Sequence, residues 1–99
     1  MENIIKGMNI MTDEQIRFFK ELRKIQDFMI GVTLCREKEY HTTEEMLIDI
    51  SYDIIYGCME LIDGYRNDNI KYLLKNIQSG EVVNENIDLH NYCEEYLKI

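Results

Sequence analysis

Proline and tryptophan are absent, and the five glycines (Gly7, Gly31, Gly57, Gly64 and Gly80) are all isolated. Isolated glycines exclude a glycine-rich phosphate loop, and no serine sits in a nucleophile elbow. Only three cysteines occur, Cys35, Cys58 and Cys93. An odd number without a CxxC argues against a disulfide framework and a zinc knuckle, so reduced thiols are expected. No uncharged apolar run reaches the ~18 residues of a membrane span. The opening MENIIKGMNIMTD has neither an apolar h-region nor a small-residue cleavage site, so the expected location is cytoplasmic. Positive charge is scarce too: 11 basic side chains stand against 19 acidic ones, a formal net charge of -8. Such a field repels nucleic acid and anionic lipid, so neither a direct nucleic-acid contact nor a membrane is expected. It suits a basic protein partner, or a mimic of DNA that occupies the groove of a nucleic-acid enzyme.

What is present is a globular balance, 45% hydrophobic and 30% charged over 99 residues. One small domain with a thin core is expected over residues 12–99. Residues 1–11 read equally as a tail or an extra strand. Thr12 followed by Gln15 fits a capping box, with Asp13 and Glu14 where negative charge meets the helix dipole. Phe18, Leu22, Ile25, Met29 and Val32 then recur at spacings of four and three, one apolar stripe of a long helix. Ile16, Phe19, Phe28 and Ile30 are expected to widen it, and Gly31 with Thr33 to bend or end it. Thr42 and Glu45 form a second capping box, opening a helix that should stop at Gly64. That helix is apolar on most sides and calls for neighbours on two or three faces. Beyond it, NIKYLLKN alternates like a strand, Ser79-Gly80 suits a hairpin turn, and Glu81–Asn84 suits a second strand. Asn86 or Asp88 should cap a last helix bearing Leu89, Tyr92, Cys93, Tyr96 and Leu97. The expected class is α+β: two long antiparallel helices, a small antiparallel β-hairpin and a C-terminal helix. Two strands make a marginal sheet and the central helix lacks cover, so a homodimer is expected.

The second helix carries Glu45, Asp49, Asp53, Glu60 and Asp63. As a row they form the metal-ligand set of one reading, a metal-dependent nucleotide hydrolase. Glu60-Leu61-Ile62-Asp63 resembles one of the paired helical motifs, ExxE and ExxD, of nucleotide pyrophosphohydrolases of the MazG type. The ExxE partner does not occur in this chain, and a row on one helix extends too far along the axis to grip one ion. The other reading makes the carboxylates the wet edge of a central helix. Asp49, Asp53, Tyr56 and Glu60 then form an interaction surface, with no catalytic residue, metal or cofactor. Arg17, Lys20, Arg23 and Lys24 interleave with Glu14, Glu21 and Asp27 at ion-pair spacings rather than as a phosphate grip. His41 precedes the capping Thr42 in a loop, and His90 with Glu94 reads as an exposed pair. Tyr52, Tyr56, Tyr65, Tyr72, Tyr92 and Tyr96 serve either the margin of the core or a contact surface.

The stretch MELIDGYRNDNIKYLLKNIQSGEVVNENIDLHNYCEEYL resembles short proteins, without assigned activity, of low-GC Gram-positive bacteria and their phages or mobile elements. The likeness spans residues 42–97 and implies an accessory gene product, with no chemistry attached. The functional expectation is a small acidic, non-enzymatic interaction or regulatory protein. A nucleotide hydrolase and a DNA-mimicking inhibitor are the alternatives.

Overall fold

The computed structural model of the protein describes residues 10–67 and 69–99. Helix α1 is Asp13–Cys35, a 3-10 turn covers Glu37–Glu39, and helix α2 is Thr43–Asp63. After an irregular stretch, a 3-10 turn at Leu89–Tyr92 leads into a single helical turn, α3, Cys93–Tyr96. The first capping box forms as expected. Thr12 Oγ1 accepts the Gln15 N–H at 3.1 Å, and Gln15 Oε1 accepts the Thr12 N–H at 2.9 Å. Helix α1 runs through Gly31 and Thr33 to Cys35, past the point where it was expected to weaken. In α2 the box is displaced. Thr42 Oγ1 accepts the Glu45 N–H at 3.0 Å, but the Glu45 carboxylate takes the N–H of His41, one residue earlier. Gly64 ends α2 with φ +85°, and the Tyr65 N–H returns to the Glu60 carbonyl.

The two helices run antiparallel. Arg36 meets Asp49 near the corner between them, and farther along the pair Ile25 packs on Gly57. Ile25 is buried, and a Cβ built on Gly57 would stand 2.9 Å from Ile25 Cγ2. Gly57 therefore sets how closely the helices approach. Phe18, Leu22, Met29 and Val32 are half-buried on the same side of α1, as the stripe predicts. Ile16, Phe19, Phe28 and Ile30 do not widen the core; all four are exposed. Among the described residues the buried apolar side chains are Ile25, Leu61 and Cys93, and polar Glu21, Thr33, Asp63, Asn84 and His90 are buried beside them. Helix α2 packs against α1 on one side and against the Leu89–Tyr96 stretch on another.

The α+β assignment is overturned: the described residues contain helices and no strand. The turn forms at the expected place, with the Gly80 N–H on the Asn76 carbonyl and Asn76 Oδ1 accepting from Gln78 and Ser79. Beyond it the two segments meet in one isolated antiparallel bridge, Lys75 with Val82. The groups a partner strand would have taken are already engaged. The Tyr72 N–H donates to the Ile62 carbonyl at the end of α2. The fully buried Asn84 side chain donates to the Tyr72 carbonyl at 2.8 Å and accepts the Leu74 N–H at 2.9 Å. One carboxamide replaces a strand edge. The last helix is also shorter than expected. Asn86 has φ +62°, and the Asp88 carboxylate, instead of capping, accepts the Tyr65 hydroxyl and faces Lys71. The tail-or-strand expectation for residues 1–11 falls mostly on residues 1–9, outside the described residues; Ile10 and Met11 enter Thr12 without regular structure.

Two glycines in helices should respond with opposite signs. Gly57→Ala drives a methyl into the rigid Ile25 side chain and should cost about 1–2 kcal/mol despite the gain in helix propensity. Gly31→Ala meets nothing within 4 Å and should add about 0.5–1 kcal/mol. Urea unfolding followed by circular dichroism measures both.

Candidate interaction surface

Helix α2 holds six carboxylates (Glu44, Glu45, Asp49, Asp53, Glu60 and Asp63) and no lysine or arginine. Glu45, Asp49, Asp53 and Glu60 share one edge of the helix, but their partners disperse them. Glu45 is held by the His41 N–H. Asp49 Oδ2 accepts a hydrogen bond from the Tyr40 hydroxyl and lies 3.4 Å from Arg36 Nη1. Arg36 also reaches Glu39 at 3.3 Å and stacks over the Tyr40 ring, 5.6 Å from its centroid. Burial, then the charge of Asp49, raises the Asp53 carboxyl above the usual range, with Arg36 opposing. Glu60 pairs with Arg66 at 3.5 Å. Tyr56, expected on the same surface, stacks on Tyr52 and turns its ring toward His90. Among the described residues no group of three or more His, Cys, Asp or Glu is placed to hold a metal ion. At the start of α2 an open notch of about 510 Å³ is lined by Arg36, Tyr40, Glu44, Glu45, Asp49 and Ile99.

Asp63 leaves the row altogether. Its side chain is fully buried, and Oδ2 accepts the His90 backbone N–H at 2.9 Å and meets His90 Nδ1 at 2.6 Å. Burial pushes this carboxyl up. The His90 backbone N–H, its imidazole and the Leu89 N–H outweigh burial and hold it below the usual range. An ionised carboxylate can only accept, so Nδ1 is the donor. The Tyr65 and Tyr56 rings meet the imidazole edge-on, with centroids at 4.6 and 5.5 Å. His90 is thus no exposed partner of Glu94, because the Asp63 contact buries it. The sequence did carry a signal: Asp63 sits in the last turn of α2, where a negative charge opposes the helix dipole and so calls for a specific partner. The pair contains an imidazole but no activated nucleophile. Cys93, one turn on, is raised by burial and then by the Asp63 charge, and its thiol points at the Leu89 carbonyl. Asp63 and His90 are a structural clasp between the end of α2 and the C-terminal segment.

No family model, curated protein or solved structure matches this chain. No helix among the described residues is long and apolar enough to cross a membrane.

Asp49→Asn and Asp53→Asn should separate the roles of the edge carboxylates. Losing the Tyr40 and Arg36 contacts should cost Asp49→Asn about 1 kcal/mol. A raised folded-state carboxyl means that ionised Asp53 opposes folding, so Asp53→Asn should be neutral or stabilising by about 0.5 kcal/mol at neutral pH. Chemical denaturation reads both. For Asp63 the sign reverses. Its depressed carboxyl contributes stability above the ordinary carboxylate value, which is lost as pH falls through the folded-state value, below about pH 4. Asp63→Asn should remove about 2 kcal/mol at neutral pH and flatten that acid limb in thermal melts run against pH.

Proposed function

We propose that the chain is a small acidic interaction module, without catalysis of its own, that receives a basic, apolar-faced segment of a partner protein on α2. The observation that carries this is the open third side of α2. Leu47 and Ile55 are 56% and 40% exposed there, and Ile48, Cys58 and Ile62 are half-buried between them. The face carries Glu44 at its N-terminal end, and no lysine or arginine occurs on the same helix, which suits an amphipathic helix flanked by lysine or arginine. The carboxylates would steer the encounter and raise the association rate, and the apolar face would hold the complex. Three free thiols, one of them exposed, support a reducing cytoplasmic setting.

The test uses amphipathic helical peptides with one apolar face and basic, neutral or acidic flanks, titrated by fluorescence anisotropy. The basic peptide should bind, with an association rate that falls as salt rises. Leu47→Glu/Ile55→Glu should abolish binding. Equal binding of all three peptides, or of none, overturns the reading.

A further inference from the structure

The outer side of α1, turned away from α2, carries a second apolar surface. Ile16, Phe19, Ile30 and Leu34 are 38%, 59%, 42% and 64% exposed, and Arg23 and Asp27 lie exposed between them. At 100° per residue these six fall within one quarter of the helix circumference. Their order is close to palindromic: aliphatic, aromatic, cation, anion, aliphatic, aliphatic. When a second α1 is laid antiparallel on the first, with the two-fold axis crossing the outer face between Arg23 and Asp27, Ile16 meets Leu34 and Phe19 meets Ile30. Arg23 meets Asp27 of the other copy, and each contact occurs twice. The face is complementary to itself in shape class and in charge, as an isologous interface must be.

From this we infer that the occupant is a second copy of the chain, paired through α1 in an antiparallel helix-to-helix dimer. The size is adequate. The exposed parts of the four apolar side chains amount to roughly 400 Å² per copy. At the usual apolar share of interfaces, a symmetric pair then buries on the order of 1,300 Å², within the range of specific complexes. The contact runs roughly 27 Å along the helix from Ile16 to Leu34. Arg23 and Asp27 already pair within the chain, Nε to Oδ2 at 3.2 Å. In the dimer two such pairs come together around the axis as a four-charge ring. That polar centre sets register and direction, because sliding one copy by a turn sets like charges opposite each other. The inference is independent of partner docking on α2, which stays uncovered in this arrangement, so either can fail without the other.

Sedimentation equilibrium on the full chain should give a dimer mass. Arg23→Glu should weaken it by about tenfold or more, because it gathers negative charge at the axis. Arg23→Glu/Asp27→Arg should restore it. Phe19→Glu/Ile30→Glu should give a monomer with an unchanged helical circular-dichroism spectrum. To fix direction, chains carrying Ile16→Cys and chains carrying Leu34→Cys, each with Cys35→Ser, are mixed and oxidised. The mixed disulfide should dominate over either same-position product. A wild-type monomer at all concentrations overturns the inference and leaves the face to another occupant, such as residues 1–9 of the same chain. A dimer indifferent to Arg23→Glu and Phe19→Glu/Ile30→Glu, or same-position disulfides only, overturns it equally.

Discussion

The carboxylate of Asp63 ties the helix pair to the C-terminal segment. A single oxygen takes both the backbone and the ring of His90, and the imidazole is closed in by Tyr56 and Tyr65. The residues on either side of His90 are oriented around this point: the Tyr65 hydroxyl reaches Asp88, and Cys93 is buried a turn beyond. A buried polar contact of this kind adds modest net stability, but removing one partner leaves the other stranded without a hydrogen bond. What it contributes is a fixed geometry for a segment whose apolar side chains, Cys93 apart, stay exposed or half-buried.

The same device recurs at Asn84. With Ile25, Leu61 and Cys93 as the buried apolar side chains among the described residues, directional polar contacts take over a role that packing would fill in a larger core. Asn84 holds residues 72–74 by their backbone, and Gly64 lets the chain turn close to Lys71. Apolar residues not used in the core are displayed on α1 and α2, and also beyond α2 at Leu73, Ile77 and Tyr96 among others. The surfaces on α2 and on α1 are the ones that the proposed partner segment and second copy would cover.

The acidic edge of α2 illustrates the limit of reading ligands from spacing. Glu45, Asp49, Asp53 and Glu60 do share an edge, as their period requires. Each is nevertheless drawn to a different neighbour: the His41 amide, Tyr40 with Arg36, a half-buried niche, and Arg66. Spacing along one helix places side chains but not the groups that approach from elsewhere.

Both long helices, their caps at Thr12, Thr42 and Gly64, and the inward stripe through Ile25 were legible from the sequence alone. Those features depend on neighbours three or four residues apart, where local geometry decides. Whether residues 70–84 form a hairpin was a different kind of question. Alternation permits a strand, but the backbone groups of Tyr72 and Leu74 were claimed by Ile62 and by a side chain ten to twelve residues away. The burial of His90 against Asp63, 27 residues back, and the exposure of Phe19 and Ile30 were likewise settled by tertiary structure. Competition for a hydrogen bond or for a place in a thin core is won between distant segments, and no local pattern records the winner.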